Sequence, residues 1–198
     1  MRKLIVSEFL TLDGVMQAPG GKDEDPSGGF DRGGWQMPYF DDVFAKRVVA
    51  GISNSGGFVL GRKTYDLFFA YWPTAPQEQK DVAVPLNALP KYVVSRTLRE
   101  PLKWENSILL KDDIAEEIRS LKDQPGRDLM TMGSGELVQT MIKEGLVDEY
   151  YLMIHPLVLG KGKRLFREGG AGQVLKLVES ASSSTGVMIL RYQVEGGA

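Results

Sequence analysis

Cysteine is absent from this chain of 198 residues, and histidine occurs once, as His155. The first absence excludes disulfide bonds, thiolate catalysis and cysteine-ligated metals. A single histidine excludes a metal site built from several imidazoles and argues against a Ser-His-Asp triad. We therefore expect no metal site, and we expect His155 to be packed or hydrogen-bonded at the end of a strand rather than catalytic.

An excess of charge of one sign is also missing, and so are long apolar runs. The formal net charge is −2, which favours neither a nucleic-acid partner nor a membrane partner, although it is compatible with a local basic pocket. No apolar run is long enough to cross a bilayer. The N-terminal stretch meets the acid Glu8 too early for a signal peptide, so a cytoplasmic protein is the default expectation.

The residues that are present are typical of a globular domain. Hydrophobic residues make up 42% of the chain and charged residues 25%. The length suits one domain with a sizeable core, and we find neither an internal repeat nor a linker. Residues 1–198 are therefore predicted to form a single domain.

Apolar periodicity alternates between strand and helix patterns along the chain, which predicts an α/β fold. Strand patterns occur at 4–9, 58–61, 91–94, 108–110, 129–132 and 147–154, and a terminal antiparallel hairpin is predicted at 175–182 and 186–194. Helical patterns occur at 39–53, 62–71, 112–121 and 137–142, with Asp112 as the predicted cap of the third. The stretch after Pro73 is predicted to be a polar connection.

Residues 14–38 show no periodicity and are rich in glycine. A loop of this length inside a compact domain is usually a functional lid or a disordered segment. Trp35 and Phe40, near its end, are candidates for contacting an apolar substrate. The alternative is that these aromatic residues only pin the loop to the core.

Three turns that follow predicted strands carry cations, hydroxyls or glycines. We call them the 61–64 turn, the 95–96 turn and the 133–137 turn. Their residues are Gly61, Arg62, Lys63 and Thr64 in the first, Ser95 and Arg96 in the second, and Gly133, Ser134, Gly135, Glu136 and Leu137 in the third. In open α/β sheets, ligands bind beyond the carboxyl ends of the strands, so the three turns predict one shared site.

The chemistry of the three turns suits a phosphorylated dinucleotide. The 61–64 turn opens a helix, whose N-terminal amides favour a diphosphate. Ser95 and Arg96 suit an adenosine 2′-phosphate, and the glycines of the 133–137 turn let a ligand approach the backbone. Together they predict NADPH rather than NADH. Each turn alone is also compatible with an ordinary capped turn, and a Rossmann site is disfavoured because Val138 replaces the third glycine of its motif.

Around these turns the sequence resembles the dihydrofolate reductase superfamily, through the segments 60–65, 94–96 and 132–135. It is most similar to the reductase domain of riboflavin biosynthesis and its stand-alone relatives, which share Leu12-Asp13-Gly14 and the run 133–162. This resemblance implies a mostly parallel central sheet with flanking helices and a C-terminal antiparallel hairpin, and often a homodimer. It also implies hydride transfer from NADPH to a C=N or C=O bond of a pteridine-, pyrimidine- or ribosylamine-like small molecule.

The sequence departs from the dihydrofolate reductase pattern at the carboxylate that this family carries in its first helix. Trp35 and Pro38 fit that pattern, but Phe40 occupies the position of the carboxylate, which argues against dihydrofolate as the substrate. Asp41 is the nearest catalytic candidate, and Asp13 is a candidate for orienting the substrate or, alternatively, for making its turn.

The NADPH-dependent reductase is the first hypothesis for the function. The second hypothesis is an NADPH-binding protein without turnover, acting as a sensor or partner subunit. A third is a structural domain whose three turns coincide by chance.

Overall fold

The computed structural model describes residues 1–197, which form an eight-stranded sheet flanked by helices. The strands are β1 (Leu4–Thr11), β2 (Phe58–Gly61), β3 (Lys91–Val94), β4 (Ser107–Leu110), β5 (Leu129–Met132), β6 (Glu149–His155), β7 (Gln173–Ser182) and β8 (Met188–Gly197). Their order across the sheet is β4-β3-β2-β5-β1-β6-β8-β7. Neighbours from β4 to β6 are parallel, and β8 is antiparallel to both β6 and β7.

The α-helices cover both faces of this sheet. They are α1 (Asp42–Asn54), α2 (Arg62–Tyr71), α3 (Lys80–Ala88), α4 (Ile114–Asp123) and α5 (Gly135–Lys143). Single 3-10 turns occur at Ser27–Gly29, Met37–Tyr39, Trp72–Thr74 and Gln77–Gln79. Among residues 1–197, no helix is long and apolar enough to cross a membrane.

The alternation of side chains along β1 divides the core between the two faces. Leu4, Val6 and Leu10 belong to the cluster that includes Val138 and Met141 of α5. The neighbouring side chain of Phe9 points to the other face, where it packs with Phe44 of α1. A shift of β1 by one residue would exchange the two faces, so this pattern fixes the strand's register.

The predicted α/β class is confirmed, and so is the mostly parallel sheet that ends in an antiparallel hairpin. β2, β3 and β5 span the predicted residues, because each is a short apolar run bounded by turn residues. The prediction of a polar connection after Pro73 is wrong, since that stretch contains α3. Pro85 lies inside α3, while Ala83 and Leu86 are buried. A proline in a nine-residue helix conceals the helical signal.

Two predicted helix starts also need correction. The cap of α4 is Asp113 rather than Asp112, and its carboxylate accepts hydrogen bonds from the amides of Ala115 and Glu116. Helix α1 begins at Asp42 rather than at residue 39, because Met37–Tyr39 form a separate 3-10 turn before it. Asp41 caps α1.

The glycine-rich loop packs against the body of the protein along much of its length. Val15, Ala18, Phe30 and Trp35 form a buried apolar cluster there. The indole N–H of Trp35 donates to the backbone oxygen of Gln17 at 2.8 Å. Whether residues 14–38 act as a lid stays a prediction.

Candidate functional site

Ser134 joins the 61–64 turn to the 133–137 turn. Its hydroxyl oxygen accepts a hydrogen bond from the amide of Gly61 at 2.8 Å and donates to the Thr64 hydroxyl at 2.9 Å. These contacts follow from the strand order, since β2 and β5 are neighbours and both turns leave the same edge of the sheet. The N-termini of α2 and α5 therefore lie side by side.

The 95–96 turn is tied to the same junction through Thr97. The guanidinium of Arg62 donates to the Thr97 hydroxyl at 2.6 Å. The hydroxyl of Ser95 accepts hydrogen bonds from the amides of Thr97 and Leu98 at 3.2 and 3.1 Å, which holds this turn in shape. The structure thus brings together all three turns that the sequence singled out.

Glycine is required where these turns touch each other. A Cβ atom at Gly61 would lie 3.3 Å from the Ser134 hydroxyl oxygen, and one at Gly133 would lie 3.3 Å from that of Thr64. Gly133 and Ser134 both have left-handed backbones, with φ angles of 67° and 64°. The glycines were predicted to admit a ligand to the backbone. Here they also let the turns pack on one another.

A groove of about 810 Å³ opens beside the junction, a volume within the usual range for small-molecule sites. Five of the predicted cofactor residues line it: Gly61, Arg62, Arg96, Glu136 and Leu137. Lys63, Thr64, Ser95, Gly133, Ser134 and Gly135 lie outside its lining. The N-terminus of α4 and the side chain of Arg119 form the opposite wall, which the sequence analysis did not anticipate.

Some of the charged side chains around the groove have partners of opposite charge, and others do not. Arg167 donates to the Glu136 carboxylate at 3.0 Å, and this contact, helped by Lys163 and Lys63, lowers the pKa of Glu136. Within residues 1–197, Arg96 makes no side-chain hydrogen bond or ion pair. Arg96 is therefore available to bind an anion in the groove.

Asp41, the catalytic candidate, has both carboxylate oxygens engaged by neighbours. One accepts from the amide of Phe44 at 2.8 Å, as a helix cap. The other accepts from the hydroxyl and amide of Ser184 at 2.6 and 2.7 Å and from the amide of Thr185 at 3.3 Å. The Ser184 and Phe44 contacts lower the pKa of Asp41 to about 2. This residue links the start of α1 to the turn between β7 and β8.

Asp13 connects the turn after β1 to the loop after β6. Its carboxylate accepts from the Thr11 hydroxyl at 2.6 Å and from the amides of Leu159 and Gly160 at 3.1 and 2.8 Å. Although burial opposes ionisation, these hydrogen bonds lower the pKa of Asp13 to about 2. Of the two roles predicted for Asp13, its contacts match the turn-making one.

The two aromatic candidates differ in exposure. Trp35 is 7% exposed, and its ring centre lies 5.1 Å from that of His155, within a cluster that also contains Phe9 and Phe44. Burial favours the alternative in which Trp35 pins the loop to the core. Phe40 is 52% exposed, with only one edge against Phe44, so its ring is free to contact a substrate. Burial lowers the pKa of His155.

The RibD C-terminal domain model matches residues 2–189. The chain belongs to the RibD C-terminal domain family. This confirms the resemblance to the riboflavin-biosynthesis reductase domain. Among other proteins, the chain is 32% identical over 201 residues to the uncharacterized protein YyaP of Bacillus subtilis, covering 98% of this chain and 96% of YyaP. It is 27% identical over 110 residues to the uncharacterized protein YwjB of the same organism, covering 56% and 58%.

Solved structures share the fold of this RibD-family chain at low identity. A putative riboflavin biosynthesis protein from Shewanella sp. PV-4 has a TM-score of 0.68 at 23% identity, with 98% of this chain and 99% of the other covered. A pyrimidine reductase-like protein from Corynebacterium diphtheriae has a TM-score of 0.66 at 14% identity, with 98% and 92% covered. A dihydrofolate reductase from Enterococcus faecalis, complexed with NADP(H), has a TM-score of 0.56 at 14% identity, with 98% and 96% covered.

Glu8 of this RibD-family chain lies beside Gly133 of the 133–137 turn and was not among the predicted site residues. Glu8 lies on β1 and is 5% exposed, and burial raises the pKa of its carboxyl well above the usual value, while a hydrogen bond from the backbone of Gly133 partly offsets this. The available signal was an acid in the middle of an apolar strand pattern. Among residues 1–197, no group of three or more acids or imidazoles is placed to hold a metal ion.

Proposed function

We propose that this protein is an NADPH-dependent reductase that transfers hydride to a C=N or C=O bond of a pteridine-, pyrimidine- or ribosylamine-like small molecule. The observation that carries the proposal is the Ser134 junction, which, together with the contact of Arg62 with Thr97, brings three phosphate-compatible turns beside one groove. Membership of the RibD C-terminal domain family and the fold shared with reductases support an oxidoreductase.

The residues of the junction fit the diphosphate of such a cofactor. The free amides at the starts of α2 and α5 point towards the same edge of the sheet, and two helix N-termini together favour an anion. Lys63 and Lys163 add positive charge around α5, as their effect on the Glu136 carboxylate indicates. When bound, NADPH would supply the hydride. The chain's own residues bind it, orient it and exclude water.

The groove suits the adenosine end of NADPH. Arg96 carries a guanidinium without a partner within residues 1–197, and a guanidinium can make bidentate contacts to a phosphate. Two of the acids in the groove are already engaged, because Asp113 caps α4 and Glu136 accepts from Arg167. We therefore assign Arg96, with Ser95 shaping its turn, to the 2′-phosphate that distinguishes NADPH from NADH.

The substrate side of the proposed site is apolar rather than acidic. Phe40 presents an exposed ring at the position of the dihydrofolate reductase acid, and the neighbouring Asp41 has both oxygens engaged. We therefore propose a substrate other than dihydrofolate, with Phe40 packing against its ring. A homodimer in the cytoplasm is also part of the proposal, and light scattering of the purified protein tests the dimer.

The engagement of Asp41 also supports a second candidate, an NADPH-binding protein without turnover that acts as a sensor or partner subunit. Such a protein would keep the three turns and the groove but would need no group that delivers a proton. Hydride transfer does not strictly need a protein carboxylate, since water can deliver the proton, so we rank the reductase first.

A thermal-shift titration with NADPH, NADH and NADP⁺, followed by an NADPH-oxidation screen, separates the candidates. At 100 times the dissociation constant, a ligand stabilises the folded state by about 2.7 kcal/mol, which gives a measurable shift. An NADPH-selective shift with oxidation by a pteridine, pyrimidine or ribosylamine acceptor supports the reductase. A shift without oxidation across the panel supports the second candidate. No shift with any nucleotide contradicts both and leaves the three turns as coincidence.

A further inference from the structure

β1 and β5 separate at Glu8. The two strands pair from Leu4 with Leu129 up to Ser7 with Met132, and no further. β1 nevertheless continues to pair with β6 as far as Thr11. The next position of β1 is Glu8, which faces the left-handed turn that begins at Gly133. The two central strands therefore diverge beyond Ser7 and Met132, and Glu8 is the first residue of β1 past this fork.

The carboxyl of Glu8 is buried without a compensating cation. It is 5% exposed, its Oε1 has no hydrogen-bond partner, and within residues 1–197 it belongs to no ion pair. Thr131, which precedes Gly133 on the same face of β5, also has a buried hydroxyl without a partner. Among residues 1–197, the Glu8 Oε1 and the Thr131 hydroxyl thus place two buried polar atoms without protein partners at one fork.

The elements packed around Glu8 present mainly apolar groups. Leu152 is its neighbour on β6, and Leu137 and Val138 of α5 belong to the same buried cluster. The titratable groups on this face include the phenol of Tyr150, which donates to Gln173, the phenols of Tyr92 and Tyr192, and the Glu136 carboxylate, which Arg167 pairs. The other charged groups near the start of α5 are Lys63 and Lys163, and both act on Glu136. His155 and Glu149 lie on the opposite face of the sheet.

The strand order relates this fork to the proposed cofactor site. The groove and the Ser134 junction lie at the ends of β3, β2 and β5, and β1 is the next strand in the sheet. A dinucleotide that starts with its adenosine in the groove and crosses the junction reaches the fork with its nicotinamide end. The nicotinamide ring is neutral in NADPH and cationic in NADP⁺.

Resting on the proposed function, we propose that Glu8 senses the charge of the nicotinamide: it stays protonated in the free protein and with NADPH, and it releases its proton when NADP⁺ binds. A carboxylate beside a cationic ring is stabilised by Coulomb attraction in a site that excludes water, whereas a neutral ring offers no such compensation. Burial, which raises the pKa of the Glu8 carboxyl in the free protein, keeps the proton in place until then.

The test is the pH dependence of the two dissociation constants, measured by fluorescence titration from about pH 5 to about pH 8. Release of one proton with NADP⁺ makes the ratio of the NADP⁺ constant to the NADPH constant fall about tenfold per pH unit, until Glu8 is ionised in the NADPH complex as well. The 2′-phosphate titrates in this range in both nucleotides, so its contribution cancels in the ratio. In Glu8→Gln the ratio should not change with pH, whereas Glu195→Gln on β8 should behave as the unmodified protein.

Proton release is the second measurement. In weakly buffered solution with a pH indicator, NADP⁺ binding should release about one proton more per protein molecule than NADPH binding does below the free pKa, because protons from the 2′-phosphate are common to both. This measurement uses the unmodified chain, so it holds even if Glu8→Gln does not fold. Equal pH dependence for both nucleotides, or equal proton release with both, would overturn the role of Glu8 and leave the proposed function intact. Failure of both nucleotides to bind would overturn the proposed function, and this inference with it.

Discussion

Replacing Ser134 by alanine should weaken the junction of the turns and, with it, nucleotide binding. The hydroxyl accepts from Gly61 and donates to Thr64, so its removal deletes two hydrogen bonds and leaves the Gly61 amide without its partner. Loss of a hydrogen bond between neutral groups, which leaves a partly buried donor unpaired, lowers the free energy of unfolding by about 1–2 kcal/mol. In a chain of this size that lowers Tm by about 2–8 °C. NADPH affinity should fall by about tenfold, because the two helix N-termini are no longer held together.

The assay is urea unfolding of each variant, together with an NADPH titration. Ser134→Gly is a matched variant, because it removes the same hydroxyl but suits the left-handed backbone, so it should be about 1 kcal/mol more stable than Ser134→Ala. Ser120→Ala, at an exposed position of α4, should change the unfolding free energy by less than about 0.5 kcal/mol. If Ser134→Ala matched Ser120→Ala in stability and bound NADPH normally, the junction would not organise the site.

Three further predictions concern charged groups. Arg96→Ala should weaken NADPH binding far more than NADH binding, whereas Arg62→Ala should weaken both; equal losses for Arg96→Ala would remove the 2′-phosphate assignment. The pKa of Asp13 falls from 3.8 to about 2 on folding, so the ionised carboxylate stabilises the fold fully above its unfolded pKa, and this stabilisation is lost as the pH falls through about 2. Asp13→Asn should remove that part of the acid dependence in urea unfolding. An unchanged acid profile would contradict this prediction. Burial lowers the pKa of Lys91 to about 8 from 10.5, so between these two pH values the unfolded chain keeps a proton that the folded protein has lost, and stability should rise with pH. Lys91→Met should abolish this rise. A rise that persists in the variant would have to come from other groups.

Local signals were enough to predict the class of the fold and the three turns. A short apolar run that ends at a glycine and is followed by a helical pattern marks the end of a parallel strand, as at Gly61 and Gly133. The turns meet because β2, β3 and β5 lie near one another in the sheet, which agrees with the single shared site predicted from the ends of the strands.

The contacts that were missed connect residues far apart in the chain. Asp41 accepts from Ser184, which lies 143 positions away, and no local pattern indicates that this carboxylate is already engaged. Glu8 is an acid within an apolar strand pattern, but its burial at a fork depends on where β5 stops pairing, over 120 residues later. Helix α3 was missed for a local reason, the proline within it.

The central position of β5 has a consequence for how the protein is made. β5 lies between β1 and β2, yet about two thirds of the chain precede it, so a ribosome has produced both neighbours before the strand that joins them exists. Until residues 129–132 and then 149–155 emerge, β1 has neither of its partners, and its backbone groups stay unpaired. Contacts this distant in sequence form slowly, because a long loop must close first. The junction and the fork therefore assemble late in folding, when the nascent chain inserts its fifth strand into the middle of the sheet.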